Sequence, residues 1–261
     1  MKKAKLLSIS NVILFIGVLI VNAAANALPI NGYNTGELSD MYPNLFVPAG
    51  ITFSIWGVIY ILLAIFSIYS LILVFKGSET NRIYYNGFGL YFAFSSIGNI
   101  AWIFLWHYKL IALSVLAMLL ILVSLIFTYI RIQDSTHNLP KAKLLLLKIP
   151  ISIYLGWICV ATIANITDFL ADRGWNGFGI SEVVWTVVVI TVAAVLGIAF
   201  IIKNNDIFYP LVVIWAFIGI IIKRNAVAIE AEQPIVFASY LMIAILAVGI
   251  LYKIRKKEIY D

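Results

Sequence analysis

Long apolar stretches alternate with short polar breaks along the whole chain, and this pattern predicts its architecture. A helix that crosses a bilayer needs about 20 mostly apolar residues. The stretches that meet this requirement lie at roughly 9–28, 50–75, 85–106, 109–131, 145–169, 181–202, 207–223 and 234–253. We therefore predict an all-α, polytopic membrane protein with eight transmembrane helices.

Polar and helix-breaking residues separate these stretches. A Gly-Trp-Asn-Gly sequence at 174–177 follows the fifth stretch. The polar residues 204–206 are predicted to cap the seventh helix, and Pro234 to begin the eighth. The break at 106–109 is weak, but one helix over 85–131 would be far too long for a bilayer.

The basic residues fall mostly on one side of this map. With the N-terminus in the cytoplasm, 14 of the 18 Lys and Arg lie on the inner side, and Lys109, Arg173, Lys223 and Arg224 lie on the outer side. Cytoplasmic loops of membrane proteins carry an excess of positive charge. The distribution predicts that both termini are cytoplasmic, and it accounts for the net charge of +6 without a nucleic-acid partner.

The first stretch has a second interpretation. Lysines precede it, and residues 25–27 read Ala-Asn-Ala, so the segment also resembles a secretory signal with its cleavage site. Cleavage would leave seven helices in the same orientation. We favour retention of residues 1–27 because of a family resemblance described below.

Composition supports a membrane protein and excludes several other classes. Hydrophobic residues make up 63% of the chain and charged residues 11%, with a mean hydropathy of +1.04. Soluble domains are about half apolar and a quarter charged. These values argue against a soluble globular, disordered or nucleic-acid-binding protein, and the single cysteine, Cys159, excludes an internal disulfide.

Common catalytic and cofactor motifs are missing from the sequence. It contains no HExxH, GxSxG, P-loop or CxxC, and its two histidines, His107 and His137, are predicted on opposite sides of the membrane. Lys203, Lys223 and Lys253 lie at predicted helix ends, whereas a retinal Schiff base needs a lysine deep in a helix. We predict no catalytic residue, no metal site and no resident cofactor.

Three predicted helices carry aromatic and polar residues along one face. An amide in hydrocarbon is costly without a partner, so Asn99 and Asn165 should face the bundle interior. The residues that share a face by helical spacing are Phe53, Trp56 and Tyr60; Ser95, Asn99, Trp102 and Trp106; and Tyr154, Trp157, Ala161, Asn165 and Asp168. We predict a polar-aromatic cleft among the second, third and fifth helices that suits a flat apolar ligand with a few polar groups.

Alternatives remain open for these residues. The aromatic rings can simply fill the bundle core while the asparagines join helices. Asp168 can be a solvated carboxylate at a loop edge, which we favour, or a polar contact at the mouth of the cleft. Trp185, near the outer end of the sixth helix, is expected to be an interface anchor.

Three of these stretches resemble motifs of the TspO family, the tryptophan-rich sensory proteins that include the mitochondrial translocator protein. The second helix of that family carries F-x-x-V-W-x-x-L-Y, the third N-W-A-W and the fifth Y-L-A-W-x-x-x-A-T-x-x-N. The matching segments here are 53–60, 99–102 and 154–165, in the family's order. The resemblance implies a five-helix transmembrane bundle over residues 1–170, which supports retention of the first helix, followed by a three-helix extension over 171–261.

The resemblance also implies a ligand. Family members bind porphyrins, and some bind sterols and benzodiazepine-type drugs; several are proposed to sense or degrade photoreactive tetrapyrroles, and many are dimers. By resemblance, Trp56, Asn99, Trp102, Trp157 and Ala161 would line the pocket. Combined with the helix faces, this gives the predicted ligand-binding residues Phe53, Trp56, Tyr60, Asn99, Trp102, Tyr154, Trp157, Ala161 and Asn165.

The sequence departs from the family pattern at two places. The family loop W-Y-x-x-L-x-K-P-x-W-x-P-P is recognisable only at 42–50, without its tryptophans and its Pro-Pro pair. Residues 166–169 replace the Tyr and Arg of the sterol-recognition segment, so sterol binding by that route is not expected. We expect the segment 29–48 to form a differently built lid over the outer mouth of the pocket.

Our leading interpretation is a plasma-membrane protein that binds or senses a porphyrin-like ligand, with a homodimer as a further expectation. Photo-oxidative degradation of the ligand is an alternative that the resemblance implies. A small-molecule transporter is the main rival, since eight helices with asparagines inside the membrane fit it loosely. Ion-coupled transporters carry carboxylates or broken helices at mid-membrane, whereas Pro150 and Pro210 are predicted near helix ends. A structural partner of another membrane protein is a third interpretation.

Overall fold

The computed structural model describes residues 2–28, 30–76, 84–135 and 140–259. Within these ranges the chain is helical and contains no strand. The α-helices are α1 (Lys2–Ala27), α2 (Thr35–Asp40), α3 (Ile55–Lys76), α4 (Gly89–His107), α5 (Ile111–Ser135), α6 (Lys141–Asp172), α7 (Glu182–Asn204), α8 (Phe208–Val227) and α9 (Gln233–Lys256). Short 3-10 segments precede α2, α3, α7 and α9, and a π-helical turn precedes α4.

Every helix of this set except α2 is long and apolar enough to cross a bilayer. The predicted all-α fold with eight spans is therefore confirmed, and the chain is a multi-pass membrane protein. Large apolar side chains such as Ile13, Ile20, Leu116 and Val248 are exposed along the helices. Exposed apolar surface of this extent is expected where helices face lipid rather than water.

The weak break between the third and fourth spans is a defined helix end. Lys109 has a left-handed backbone with φ of 58°. Its N–H donates to the carbonyl of Trp106, and the N–H of Leu110 donates to that of Leu105, each over 2.9 Å. These two bonds form a Schellman ending, which satisfies the carbonyls at the end of α4 and lets α5 begin at once.

Two predicted helix starts are confirmed. The Asp206 carboxylate accepts hydrogen bonds from the backbone N–H groups of Phe208, at 2.8 Å, and Tyr209, at 3.3 Å, and so caps α8. Pro234 lies in the first turn of α9. Proline fits there because the first N–H groups of a helix have no intrahelical acceptor.

Pro150 does not lie near a helix end, and that prediction was wrong. Helix α6 begins at Lys141 and runs for 32 residues, so Pro150 falls inside it. The first turn, which carries Lys141 and Lys143, continues the helix beyond its apolar part and was missed by a search for hydrocarbon-length stretches. A proline inside a helix removes one backbone hydrogen bond and favours a kink.

The chain divides into two compact units. The first consists of Met1–Leu38 and Trp56–Ile158, and the second of Ser39–Ile55 and Cys159–Asp261. The predicted boundary at residue 170 does not coincide with this division and stays a prediction.

Close helix packing in the first unit depends on small residues. A Cβ atom added at Gly98 of α4 would lie 2.9 Å from the Ile121 side chain of α5, and one at Gly17 of α1 would lie 3.3 Å from Ile100 of α4. Small residues let helix backbones approach closely where no hydrophobic effect drives association. Helices α1 and α5 are thereby packed against α4.

In the second unit, the segment before α3 packs on α8. The backbone N–H of Ala49 donates to the carbonyl of Gly219 at 3.0 Å, and the Trp215 Nε1–H donates to the carbonyl of Thr52 at 2.9 Å. A side chain at Gly219 would collide with Thr52 and with Pro48. The absence of a Cβ at this position therefore permits the contact.

Candidate functional site

Three aromatic residues from two helices meet around Trp56 in the first unit. Trp56 stacks on Tyr60, one turn further along α3, with ring centroids 5.5 Å apart and an interplanar angle of 19°. Two rings of α6 pack edge-on against Trp56, Tyr154 and Trp157, each with its centroid 6.1 Å away. We call Trp56, Tyr60, Tyr154 and Trp157 the aromatic cluster.

Exposure differs within the aromatic cluster. Tyr154 and Trp157 are buried, whereas Trp56 and Tyr60 are half-buried. Aromatic pairs in offset or edge-on contact contribute about 0.5–1.5 kcal/mol beyond their buried area. The two rings of α6 therefore form a fixed base, and those of α3 present the accessible surface.

A line of polar side chains reaches the cluster from α1 and α4. The Asn22 amide donates to the Asn99 side-chain oxygen at 2.7 Å, and the Asn99 amide donates to the Tyr154 hydroxyl at 3.2 Å. Asn99 is buried, as the cost of an unpartnered amide in hydrocarbon predicts. The line fixes the Tyr154 ring and brings hydrogen-bonding atoms to the edge of the aromatic cluster.

Trp102 lies one turn after Asn99 on α4 and is buried. Its ring stacks on Trp106 with centroids 5.8 Å apart and an interplanar angle of 14°. The Trp106 Nε1–H donates to the carbonyl of Thr35 at 3.3 Å, at the start of α2. The tryptophan pair of α4 is thus anchored at one end.

The three other predicted ligand-binding residues belong to the second unit. Phe53 is half-buried in the 3-10 segment Gly50–Ser54. Ala161 is half-buried and Asn165 is buried, both on α6. The structure therefore brings together Trp56, Tyr60, Asn99, Tyr154 and Trp157, and ligand binding by all nine residues stays a prediction.

Sequence reasoning missed the asparagines of α1. The Asn11 amide donates to the Gly89 carbonyl at 2.8 Å and to the Tyr84 hydroxyl, which ties α1 to the turn that begins α4. Asn11 and Asn22 are three helical turns apart and lie on the same buried face. The signal was available, because each amide interrupts an apolar stretch just as Asn99 does.

The segment predicted as a lid contains ordered structure. It holds the 3-10 turn Ile30–Gly32 and helix α2, and the Asn31 amide donates to the carbonyl of His107 at 3.0 Å. A lid role for 29–48 stays a prediction, with Pro29 outside the described residues.

Asp168 is buried, at 2% exposure, so the favoured interpretation as a solvated carboxylate was wrong. The Asn44 amide donates to its carboxylate at 2.7 Å. The Asn44 oxygen in turn accepts the backbone N–H groups of Phe46 and Val47, each at 3.0 Å. Asp168 thus holds the 44–47 turn of the second unit in place through one asparagine.

Charged neighbours surround this carboxylate. The Lys223 ammonium pairs with Asp40 at 2.9 Å, which ties the end of α2 to α8 within the second unit. Burial raises the pKa of Tyr42 above its ordinary value, and the negative charges of Asp172 and Asp168 raise it further. The Tyr42 phenol is therefore neutral at physiological pH.

One comparison with known proteins gives a match. The sequence model of the family described as TSPO-like protein matches residues 8–252. The match takes in the last three helices, which the motif resemblance did not reach. No curated protein and no solved structure matches the chain.

Proposed function

The chain belongs to the TSPO-like protein family, and on this basis we propose that it binds a flat aromatic small molecule, of the porphyrin class, as a membrane-embedded sensing protein. The observation that carries the proposal is the aromatic cluster with an amide bonded to its edge. Small-molecule sites are mostly apolar and aromatic, with a few placed polar groups that fix orientation. The cluster with Asn99 has that composition.

The geometry suggests how such a ligand is held. Trp56 and Tyr60 stack on each other and are half-buried, so a planar macrocycle would stack on the outer face of one of the two rings. Tyr154 and Trp157 of α6 fix the orientation of the Trp56 ring through edge-on contacts. Asn99 and the Tyr154 hydroxyl would set the orientation of a polar substituent at the edge. Binding needs no catalytic residue, and tetrapyrrole degradation would be a separate activity.

Transport is the second candidate, and one observation favours it. Helix α6 is continuous over its 32 residues, but Pro150 inside it removes one backbone hydrogen bond and marks a point at which a transporter helix would bend. Saturable uptake of a porphyrin into proteoliposomes would support transport. Binding without uptake would support the sensing role.

Titration of the purified protein with protoporphyrin tests the proposal. We expect saturable quenching of tryptophan fluorescence, because the cluster contains two tryptophans. We expect a stoichiometry of one ligand per chain. Linear, non-saturating quenching at all concentrations would indicate partition into detergent and would contradict the proposal. We further propose that the protein resides in the plasma membrane. We also propose that it forms a homodimer, and crosslinking in native membranes would test the dimer.

A further inference from the structure

The second unit contains a pocket of its own, with a volume of about 200 Å³. The turn 43–46, the last two turns of α6, the loop 175–180 and the first turns of α7 line it. Pockets for drug-sized ligands measure roughly 300–1,000 Å³. This pocket therefore suits a smaller molecule or a single group of a larger one.

Two tryptophans form one wall of this pocket. Trp175 and Trp185 have ring centroids 5.4 Å apart and an interplanar angle of 51°, so the two rings contact each other in a tilted arrangement. The Trp185 Nε1–H donates to the carbonyl of Gly177 at 2.9 Å, and Phe178 packs edge-on against Trp175 at 5.3 Å. The two indoles are therefore held in position without a ligand.

The uncharged polar side chains of the lining already have partners within the protein. The hydroxyl of Thr167 donates to the carbonyl of Ala164 at 2.7 Å, and that of Thr186 donates to the carbonyl of Glu182 at 2.8 Å. Asn44 is bonded to Asp168, as described above. A ligand that needs many hydrogen bonds, such as a sugar, would find few here.

The one formal charge in the lining of the pocket is negative. Glu182 is exposed at the N-terminus of α7 and is the one charged residue among those that line the pocket. Its carboxylate offsets the positive end of the helix dipole, which would otherwise favour an anion. The nearby Arg173 lies 3.9 Å from Asp172 and over the ring of Phe169. A positively charged ligand is favoured.

We propose that this pocket binds an organic ammonium ion, either a free small amine or the ammonium headgroup of a lipid. A cation over an indole face is attracted by the negative charge of the π-system, and tryptophan is the strongest such partner. Two indoles and one carboxylate in the same lining provide this recognition for a group that brings no hydrogen-bond requirement of its own. A trimethylammonium group is compatible with the pocket volume.

The first arm of the test separates charge from shape. Choline and its neutral isostere 3,3-dimethyl-1-butanol are titrated into the full-length protein in maltoside detergent, with heat of binding as the readout. We expect saturable choline binding and at least about tenfold weaker binding of the alcohol. Equal affinities, or no choline binding, would overturn the proposal.

The second arm tests the residues. We expect Glu182→Gln and Trp175→Ala each to weaken choline binding about 3- to 30-fold, and Trp175→Phe to keep most of the affinity. Glu230→Gln is the matched control, because Glu230 is likewise an exposed acid near the start of a helix, in the 3-10 segment before α9. A loss in Glu230→Gln equal to that in Glu182→Gln would show a general charge effect and contradict the site.

The third arm distinguishes the source of the ammonium group. Choline binding is measured in nanodiscs of phosphatidylcholine and of phosphatidylglycerol. Weaker apparent affinity in phosphatidylcholine supports a lipid headgroup as the occupant, and equal affinity supports a free amine. Loss of binding in both would overturn the proposal. Trp56→Ala, which is expected to lose porphyrin binding, should leave choline binding unchanged, and this separates the pocket from the porphyrin proposal.

Discussion

Asn22 of α1 and Asn99 of α4 are 77 residues apart in sequence and are joined by a 2.7 Å hydrogen bond between their side chains. Both are buried in helices that cross the membrane. Each amide thereby avoids the cost of an unpartnered polar group in hydrocarbon. The pair links the first helix of the chain to the polar edge of the aromatic cluster, since Asn99 also donates to Tyr154.

Replacing Asn22 should destabilise the first unit. We expect Asn22→Ala to lower the free energy of unfolding by roughly 0.6–1.7 kcal/mol, the range measured for interhelical hydrogen bonds in membranes. Asn26→Ala is the control on the same helix, because Asn26 is exposed and its amide donates to the backbone carbonyl of Asn22 in that helix. Equal melting temperatures of the two variants in detergent would show that the Asn22–Asn99 hydrogen bond contributes nothing to stability.

Gly219→Ala should disrupt the contact between α8 and the segment before α3. The new Cβ would collide with Thr52 and Pro48, and overpacking typically costs about 1–3 kcal/mol. Gly57→Ala is the control, because a Cβ at Gly57 would meet no atom within 4 Å. We expect the melting temperature to fall for Gly219→Ala and to stay unchanged for Gly57→Ala. An unchanged melting temperature of Gly219→Ala would mean that α8 and the segment before α3 separate at little cost in free energy.

Asn44 should contribute more to the stability of the protein than its position in a turn suggests. Asn44→Ala removes the donor to the buried Asp168 and the acceptor for two backbone N–H groups, so we expect a loss of about 2–3 kcal/mol. Asp172→Asn changes an exposed acid at the end of the same helix as Asp168 and should stay within about 0.5 kcal/mol. Chemical denaturation in mixed micelles would measure both. Parent-like stability of Asn44→Ala would contradict this assignment.

The orientation in the membrane can be tested by cysteine labelling. In a Cys159→Ala background, a cysteine at the exposed Glu37 should react with an impermeant maleimide from outside the cell. A cysteine at the exposed Asp134, at the end of α5, should react only after permeabilisation. The reverse pattern would show that the 14-to-4 distribution of basic residues had been interpreted with the wrong sign.

The hydrophobic pattern was sufficient to predict the eight helices that are long enough to cross the membrane. Eight apolar stretches predict eight spans, and the Asp206 cap and the start at Pro234 depend on local chemistry that a sequence displays directly. The start of α6 was missed because lysines can extend a helix beyond the hydrocarbon without adding to its hydropathy.

Long-range partners were harder to predict. The cost of burying an amide predicts that Asn99 finds a partner, but it does not predict that the partner is Asn22 on α1. Asp168 was predicted to be solvated because a carboxylate at a helix end usually is; its burial depends on Asn44, 124 residues away. The pocket of Trp175 and Trp185 depends on a loop whose left-handed turns are set by Gly177 and Phe178.

The most direct test of the central claim is the affinity of the Trp56→Ala variant for protoporphyrin. Trp56 contacts the three other rings of the aromatic cluster, so its removal should weaken binding by roughly 30- to 1,000-fold, as expected for a hot-spot residue. Trp56→Phe should retain most of the affinity, and Trp185→Phe, in the second unit, should bind as the parent does. Parent-like binding by a folded Trp56→Ala protein would show that the cluster is packing alone and contradict the proposed function.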